Sequence, residues 1–551
     1  MKILKFPRLL SILLLSPLFL FGQSKSILPI KYPNKPKLVL GIVIDQMRFD
    51  YLNRYYSKFG NGGFKRILKE GFNEKNMLYP YVPTATGPGH SSIFSGSVPA
   101  ISGIIENEWY SRKDKKIIYC VSDTTVQSIG TGNKSGQMSP RNLLVSTITD
   151  QLKLSNNFKS KVIGISQKDR ASILPAGHLA NGAYWLDSET GNFISSNYYM
   201  KELPSWVQSF NQKKLAESYL SKDWNTLLPI DTYLESDPDN EPWESLLPGE
   251  SNPVFPHILS KIPRKDFELI RSTPFGNDLT KDFALSALEN EKLGKSEYTD
   301  FLTLSFSSTD YVGHAYGPNS IEIEDTYLRL DKDLEEILNY LDRNLGKENV
   351  LVFLTADHGV AAAPGFNLAH NIPAGLISGS NFVKGIQDYF QKNFGNAGLL
   401  EKFSNEQVYL NYSLVESLKL NEETLFNGLR TYLMEKEGVA NLVDLNHIGN
   451  SNMIGDQLER IKNGFYAKRS GDFQLILEPN WMFGRSQGTN HGTSYHYDIH
   501  VPMLWYGWKI KAGSSIEKVK ITDISSTLAF ILGIEEPNGS IGKPESLILN
   551  P

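Results

Sequence analysis

Short apolar runs alternate with amphipathic segments along most of the 551-residue chain. Such runs are typical of buried strands in a parallel sheet. They predict strands at 37–44, 161–165, 299–306, 349–355, 472–478 and 500–506. The amphipathic stretch 321–343 predicts a helix, and 521–534 predicts another, capped near Asp523 or Ser525 and ended at Gly533. Strands that alternate with helices predict an α/β fold with a doubly wound, mostly parallel sheet.

Two stretches fit this alternation poorly. Residues 180–270 are rich in Pro, Ser, Asn, Asp and Trp, and residues 362–470 mix helical patterns, at about 382–394 and 421–437, with loops. Both stretches lie between segments that carry candidate metal ligands. We therefore interpret them as insertions in one catalytic domain, 23–551, and expect them to cover its active site.

The N-terminal residues 1–22 have the pattern of a secretory signal. Lys2, Lys5 and Arg8 precede a short apolar stretch, Leu9–Phe21. The stretch is short for a membrane-spanning helix, although an uncleaved anchor is the alternative. We expect a periplasmic or secreted protein without stable membrane association once the signal is removed.

Charge and cysteine content exclude several classes of function. The formal net charge is −4 and the calculated pI is about 6.3, which gives no support for a nucleic-acid-binding surface. Cys120 is the only cysteine, so the chain can form neither an intrachain disulfide nor a multi-cysteine zinc site. We expect a monomer that acts on small substrates.

Carboxylates and imidazoles stand where several apolar runs end. In a parallel sheet the carboxyl ends of the strands share one edge, where ligands bind. We expect these side chains to converge there: Asp45, Asp310, His314, Asp357, His358 and His491. Mixed nitrogen and oxygen ligands suit zinc, so the set predicts a hydrolase with two Zn²⁺ per chain. No ligand role is assigned to the other histidines, His90, His178, His257, His370, His447, His496 and His500.

Two further motifs suggest phosphate chemistry. Thr86, in PTATGPGH, precedes a helical stretch, and a helix N-terminus attracts anions, so Thr86 could attack a bound phosphorus atom. The alternative is a capping threonine without chemistry. In SQKDR, an extended segment would place Ser166, Lys168 and Arg170 on one side, where the two cations could bind phosphate oxygens. The alternative is a solvated basic surface.

Together these motifs resemble the alkaline phosphatase superfamily, in its branch with the phosphodiesterases and nucleotide pyrophosphatases, and are most similar to periplasmic bacterial alkaline phosphatases. The resemblance runs from residue 41 to 502 and is carried by GIVIDQMRFD, PTATGPGHSSIFSG, SGIIENEW, SQKDRASILPAGH, SSTDYVGHAYGP, LTADHGV and NHGTSYHYDIHVP.

The resemblance implies a role for each site residue. Asp310, His314 and His491 would hold one Zn²⁺. Asp45, Asp357 and His358 would hold the second, together with the oxygen of Thr86, the nucleophile that becomes phosphorylated. The non-bridging phosphate oxygens would be bound by Asn107, Lys168 and Arg170.

Several related activities were weighed against a monoesterase. A phosphodiesterase shares the ligands and the threonine, but the Lys168 and Arg170 pair favours a dianionic monoester. Sulfatases would have Cys or Ser at position 86 and Arg at position 90, where this chain has Thr and His. Phosphoglycerate mutases use a serine and are typically cytosolic. A non-catalytic zinc- or phosphate-binding protein would be marked by a lost ligand, and none is lost.

Overall fold

The computed structural model describes residues 35–545, except 264, 452, 454 and 485, and also 547–548. The predicted signal, 1–22, lies outside the described residues. A ten-stranded central sheet forms the core of the fold. Its strands are β1 Leu38–Ile44, β2 Phe72–Glu74, β3 Ser128–Ile129, β4 Val162–Ser166, β5 Gly182–Asp187, β6 Asn192–Ser196, β7 Asp300–Phe306, β8 Val350–Thr355, β9 Met503–Gly507 and β10 Gly513–Ser515.

The strands lie in the order β10-β2-β9-β8-β1-β7-β4-β5-β6-β3. The five central strands, from β8 to β5, are all parallel, whereas β9 and β6 run antiparallel to their inner neighbours. The four strands β1, β4, β7 and β8 are buried along their whole length. Burial on both faces explains why their sequences are continuous apolar runs. The predicted α/β fold with a mostly parallel sheet is confirmed.

Six helices matter for the site or the core. They are α1 Thr86–Ser95, α2 Asp169–Ala176, α3 Phe275–Asn290, α4 Ser308–Tyr316, α5 Ile321–Asn344 and α6 Asp523–Leu532. The other α-helices outside the insertion described below are Tyr51–Arg54, Phe64–Glu70, Pro99–Ser102, Ile148–Ser155, Ser205–Gln212, Leu215–Leu220, Pro364–Ala369 and His496–Ile499.

Most predicted elements agree with the structure within a few residues. The helix predicted at 321–343 is α5, and the one predicted at 521–534 is α6, which ends at Gly533 in a left-handed conformation. The N-cap of α6 is Thr522, and neither predicted residue takes that place. The strand predicted at 500–506 is divided at Pro502, because proline has no N–H to donate within a sheet.

The first predicted insertion begins too early. Its start, from residue 180, contains β5, which pairs with β4, and β6, which pairs with β5, so both extend the central sheet. The remainder, about 200–270, consists mainly of loops with short helices. The prediction failed because β6, Asn192–Ser196, has only two apolar residues, Phe193 and Ile194, and a polar turn separates it from β5.

The second predicted insertion ends too early. It supplies the strands Leu400–Ser404, Gln407–Leu410 and Val439–Asp444 of a separate four-stranded sheet, whose remaining strand, Phe473–Leu477, lies beyond residue 470. The strand predicted at 472–478 therefore exists but belongs to this sheet and not to the central one. The helices here are Gly379–Phe394, Tyr412–Ser417, Glu422–Leu433 and Asp456–Gly464. These strands and helices pack around a separate apolar cluster, which includes the fully buried Phe390 and Leu475.

Smaller strand pairs complete the fold. Met77–Leu78 pairs with His500–Val501 and Val519–Lys520, and Gly375–Ile377 pairs with Trp481–Phe483. A hairpin of Glu108–Ser111 and Lys116–Tyr119 lies between Asn107 and Cys120. Among the described residues, the search for a helix long and apolar enough to cross a membrane finds none.

Candidate active site

The carboxyl ends of β1, β7 and β8 bring the predicted metal ligands together. Ile44 pairs with Phe306 at the ends of β1 and β7, and Asp45 N donates to the carbonyl of Phe306 at 3.0 Å. Asp310 and His314 lie one turn apart on α4, which begins two residues after β7. Asp357 follows β8. The sheet therefore gathers residues from Asp45 to Asp357, which are far apart in sequence, at one edge, as predicted.

The predicted ligands form two overlapping groups. Asp45, Asp357 and His358 offer ligand atoms that lie within 4.8 Å of one another, and so do Asp310, His358 and His491. His314 Nε2 lies 3.2 Å from Asp310 Oδ1 and therefore belongs to the same place. We call all six residues the ligand cluster. The first group matches the set that the resemblance implies, whereas in the second group His358 stands where the resemblance has His314.

Backbone carbonyls orient the three imidazoles of the ligand cluster. Nδ1 of His314 donates to Thr489 O at 2.8 Å, Nδ1 of His358 to Gly359 O at 3.0 Å, and Nδ1 of His491 to Thr84 O at 2.7 Å. Because a carbonyl can only accept, each Nδ1 carries the proton in the neutral ring. Nε2 then has a free lone pair, which is the form that binds a metal ion.

Three buried polar atoms of this cluster lack a hydrogen-bond partner among the described residues. They are Asp45 Oδ1, Asp357 Oδ2 and His358 Nε2. Nε2 lies 3.6 Å from the first oxygen and 3.5 Å from the second, and all three residues are fully buried. Unpaired buried acceptors are costly unless something binds them. One nitrogen and two oxygens are a donor set that zinc accepts, so these residues fit a metal ion.

Lys168 interacts electrostatically with the carboxylates of the ligand cluster. Its Nζ lies 2.7 Å from Asp45 Oδ2 and 2.6 Å from Asp310 Oδ2. Burial opposes ionisation of Asp310, but the attraction of Lys168 and His314 holds the pKa of this carboxyl well below its usual range. Burial and the charge of Asp357 raise the pKa of Asp45. Two carboxylates that share one cation thus differ in how readily they ionise.

Two of the three histidines of the ligand cluster have lowered pKa values, whereas at His314 burial opposes the charge but the attraction of Asp310 raises the pKa. Burial lowers the pKa of His358. Burial, with the neighbouring His358 and His314, lowers the pKa of His491 well below its usual range. The rings of His358 and His491 stack with their centroids 3.6 Å apart. Neutral imidazole is the metal-binding form. The surroundings of His358 and His491 therefore favour metal binding over protonation of these two rings.

Thr86 is the first residue of α1 and is buried beside the ligand cluster. Its Oγ1 lies 3.4 Å from Lys168 Nζ and 3.3 Å from Arg170 Nη2. The close approach of α1 to the loop after β8 depends on Gly89, because a Cβ there would lie 2.4 Å from the carbonyl oxygen of Asp357. The threonine therefore lies between a helix N-terminus, two cations and the candidate metal ligands.

Asn107 lies against the start of the same helix. Its side-chain Oδ1 accepts a hydrogen bond from Gly87 N at 2.7 Å. The backbone N–H of Asn107 donates to Glu106 Oε1 at 2.8 Å. Since the side-chain oxygen is directed at α1, the NH₂ group of the amide is left to donate. This is the geometry that the resemblance implies for an anion-binding amide.

Lys168 and Arg170 meet at Thr86, but not as predicted. They do not alternate along one extended segment, because Lys168 is the N-cap of α2 and Arg170 lies in its first turn. The side chain of Ser166 bonds to Ser307 Oγ at 2.9 Å, and its oxygen also accepts from Lys168 N. The strand-to-helix change, and not strand alternation, brings the two cations together. We call Lys168 and Arg170 the cationic pair.

Two residues that support the site, Gln46 and His90, were not predicted from the sequence. Gln46 has a positive φ of 65°, donates from Nε2 to Asp310 Oδ1 at 2.7 Å, and donates from its backbone N–H to Asp357 Oδ1 at 3.1 Å. His90, which sequence reasoning set aside, lies 3.0 Å from Thr86 O and 3.3 Å from Asp357 Oδ2. Position after an apolar run was the only available clue for Gln46, and spacing of one turn from Thr86 was the clue for His90.

The other histidines lie away from the ligand cluster. His178 contacts Asp150, His447 contacts Asp444, and His257 lies between Glu250 and Glu322. His500 stacks on Phe49. None of these histidines belongs to either metal-binding group found among the described residues.

Comparison with known proteins places this site in a family. The family described as type I phosphodiesterase / nucleotide pyrophosphatase matches residues 39–500. This match covers most of the chain, so the chain belongs to that family, and the resemblance inferred from the sequence motifs is confirmed.

Particular relatives cover nearly the whole chain. A Myroides odoratus protein named calcium-transporting ATPase is 50% identical over 515 residues, which are 93% of this chain and 94% of that protein. Alkaline phosphatase PafA of Elizabethkingia meningoseptica is 47% identical over 513 residues, covering 93% and 94%. A crystal structure of wild-type PafA matches with a TM-score of 0.91 at 46% identity, covering 94% of this chain and 99% of that one. The sequence comparison and the structural comparison thus both identify PafA as a relative of this chain.

Proposed function

We propose that this protein is an alkaline phosphatase that hydrolyses small phosphate monoesters through a phosphorylated Thr86. One observation carries the proposal. The buried hydroxyl of Thr86 lies at a helix N-terminus, within 3.4 Å of two cations and beside a cluster of carboxylates and imidazoles. The 47% sequence identity to alkaline phosphatase PafA supports the proposal.

The ligand cluster is proposed to hold two zinc ions. Asp310, His314 and His491 would hold one ion. Asp45, Asp357 and His358 would hold the other, with Thr86 as a further ligand. Bound zinc would supply Lewis-acid chemistry, lowering the pKa of coordinated hydroxyl groups and stabilising negative charge on the reacting oxygens.

Thr86 acts as the nucleophile in the first step. Its Oγ1 bonds to phosphorus as the bond between phosphorus and the ester oxygen breaks. The Thr86 hydroxyl gives up its proton, and the leaving oxygen takes up one proton and departs as the alcohol. Water then bonds to phosphorus, the bond to Oγ1 breaks, and the hydroxyl of Thr86 is restored with release of inorganic phosphate. Two displacements thus replace one difficult hydrolysis.

The cationic pair and Asn107 would stabilise the transferred group. Its charge is spread over three non-bridging oxygens in the transition state. Lys168 and Arg170 already contact Thr86 Oγ1. When this oxygen is bonded to phosphorus, the non-bridging oxygens of the phosphoryl group lie within reach of both cations. Donors fixed before the reaction need no reorganisation during it.

The alternative function is a phosphodiesterase, since the family is named for that activity. The cationic pair favours the monoesterase, because a monoester carries two negative charges at alkaline pH and a diester carries one. Among the described residues, the guanidinium of Arg170 forms no salt bridge with a carboxylate and bonds to the hydroxyl groups of Tyr119 at 3.1 Å and Thr86 at 3.3 Å, so its charge is available to substrate. Asp45 and Asp310 bond to Lys168 and are also proposed zinc ligands. Bound zinc would therefore compete with Lys168 for these two carboxylates.

The site of action is proposed to be the periplasm or the medium, and the active unit a monomer. Removal of residues 1–22 would leave a mature chain that begins near Gln23. N-terminal sequencing of exported protein tests this proposal. An intact N-terminus in the cytosolic fraction would contradict it.

The function is tested by a side-by-side assay of zinc-loaded protein. The substrates are an aryl phosphate monoester, its methyl diester, an aryl sulfate and ATP, the last because one relative is named an ATPase. We expect the monoester to have the highest kcat/KM and strong chelators to abolish its hydrolysis. A diester preference would favour the alternative, and full activity without bound metal would refute the two-zinc proposal.

A further inference from the structure

A cavity of about 220 Å³ adjoins the cationic pair. Its lining includes Tyr119, Lys168, Arg170, Trp185, Arg271 and Tyr311. We call it the arginine cavity. It shares Lys168 and Arg170 with the active site, so a substrate whose phosphoryl group binds the cationic pair has this space next to its phosphorus atom.

Arg271 is fixed at the far side of the arginine cavity. It lies in a short helix, Glu268–Ser272, and its Nη2 donates to the carbonyl oxygens of Leu186 at 3.0 Å and Gln167 at 3.4 Å. These carbonyls follow the carboxyl end of β4 and lie within β5. The guanidinium is therefore attached to the same sheet edge that carries the active site, and it is largely buried.

Two guanidinium donors at this cavity are unpartnered in the part of the chain that the structure describes. Nε of Arg170 and Nε of Arg271 are buried and have no hydrogen-bond partner among the described residues. The ring of Tyr311 lies between two cations, 5.1 Å from Lys168 Nζ and 5.8 Å from the guanidinium carbon of Arg271. Cations on an aromatic face bind an anion that approaches from the open side. The lining thus favours a ligand with acceptor oxygens.

Two carboxylates limit the positive charge. Asp169 lines the arginine cavity, but its Oδ1 already accepts from Arg170 N and from the hydroxyl of Tyr119. Glu268 accepts from Nη1 of Arg271, with both of its oxygens 3.0 Å away, and its side chain is 49% exposed. An exposed carboxylate is a weak, replaceable partner. Glu268 therefore competes with any anion that binds Arg271.

We infer that the arginine cavity is a subsite for an anionic group, a carboxylate or a second phosphoryl, on the alcohol part of the substrate, with Arg271 as its recognition residue. The inference rests on the proposed phosphatase function and narrows its substrate class. Substrates of this class would be phosphate monoesters with a second negative charge a few bonds from the ester oxygen.

The test compares two esters that differ only in charge. They are the phosphate monoesters of para-hydroxyphenylacetate and para-hydroxyphenylacetamide, whose phenols have similar acidity because a methylene separates the ring from the variable group. The measured quantity is the ratio of kcat/KM for the anionic ester to that for the neutral ester. The ratio is measured for the zinc-loaded wild type and for three variants, Arg271→Gln, Glu268→Gln and Arg141→Gln.

Opposite effects are expected from the two partners. Arg271→Gln lowers the ratio about tenfold, the value of one charge-assisted hydrogen bond. Glu268→Gln raises it about two- to fivefold, because it removes an exposed competitor. Arg141→Gln serves as the matched control, since Arg141 lines a different groove and pairs with Asp123, and it leaves the ratio unchanged.

Each outcome decides the matter. A ratio in Arg271→Gln within about twofold of wild type, or an equal fall in Arg141→Gln, would overturn the inference while both esters are still hydrolysed. If Arg271→Gln does not fold, Glu268→Gln decides alone, where a rise supports the subsite and no rise overturns it. Failure of the wild type to hydrolyse either ester would instead overturn the proposed function, and the subsite with it.

Discussion

Two buried clusters of histidine and carboxylate in this protein have opposite electrostatic character. In the ligand cluster, His358 donates from Nδ1 to a carbonyl, and its Nε2 is unpaired beside Asp45 and Asp357. In the second cluster, both ring nitrogens of His257 bond to carboxylates, Nδ1 to Glu250 at 2.8 Å and Nε2 to Glu322 at 3.2 Å. Both histidines are fully buried.

The pKa values of the two histidines diverge accordingly. Burial lowers the pKa of His358. Burial also opposes the charge on His257, but hydrogen bonds to Glu250 and Glu322 raise its pKa to about 9. His257 is thus a protonated member of a satisfied ion-pair network, whereas His358 is a neutral ring with a free lone pair.

The comparison shows what distinguishes a candidate metal site from a structural network. Proximity of histidine and carboxylate is common to both clusters and is not diagnostic. The distinguishing features are the carbonyl acceptor that fixes the Nδ1 tautomer and the buried acceptor atoms left without partners. The predictions below test whether the difference has the consequences that this view requires.

The largest expected effect is on catalysis and should leave both clusters intact. Thr86→Ala removes the proposed nucleophile, so we expect kcat/KM for an aryl phosphate to fall on the order of 10⁴-fold or more. Bound zinc and the free energy of unfolding should change little, and Thr86→Ser should keep partial activity. Elemental analysis and denaturant unfolding provide these controls. Turnover near that of wild type in Thr86→Ala would rule out the assignment.

A paired substitution tests the comparison directly. His358→Ala removes an imidazole from the metal-binding groups, so zinc affinity should fall more than about a hundredfold, measured by titration in a metal buffer. His257→Gln should keep zinc binding and lose stability instead, because it leaves Glu250 and Glu322 without a cation. Equal loss of zinc in the two variants would mean that the clusters do not differ as described.

How much of this site was predictable depends on where each residue lies. Asp45, Asp310 and Asp357 follow buried apolar strands, and this position alone predicted their convergence because parallel strands end at one edge. Asn107 lies at the start of a surface hairpin, and only the family resemblance selected it. Gln46 acts through a left-handed backbone conformation that local sequence does not specify.

The same limit applies to the fold. Long apolar strands such as β1 and β8 were predicted within one residue, because burial on both faces requires a continuous apolar run. The strand Phe473–Leu477 was also predicted, but its assignment to the insertion sheet depends on pairing with distant strands. Apolar pattern specifies that a strand is buried, and it does not specify which sheet buries it.

The cationic pair lies beside the ligand cluster, with Lys168 Nζ 2.7 Å from Asp45 Oδ2, and no such pair is found at the His257 cluster in the described structure. Replacing both Lys168 and Arg170 by Ala should lower monoesterase kcat/KM by about 10²–10⁴, because each charge-assisted hydrogen bond contributes roughly 1.5–3 kcal/mol. Diester hydrolysis should fall much less. The decisive quantity is the ratio of the two kcat/KM values, since general damage to the site lowers both. An unchanged ratio would return support to the phosphodiesterase alternative.

The smallest expected effect is a pH-dependent contribution of His257 to stability. Its pKa is about 9 in the folded protein, against an ordinary value of 6.5, so the folded state holds the proton more tightly. The stabilisation is therefore fully present below about pH 6.5 and is lost as the pH rises through 9, and a shift of this size corresponds to about 3 kcal/mol. Burial and the charge of Glu322 raise the pKa of Glu244 to about 9, which also lowers stability as the pH rises. Subtracting the unfolding free energy of His257→Gln from that of wild type removes much of this shared part. We expect the difference to decrease between pH 6.5 and 9, measured by urea unfolding. A difference that is constant across this range would show that His257 is not a buried cation, and the contrast with His358 would then rest on geometry alone.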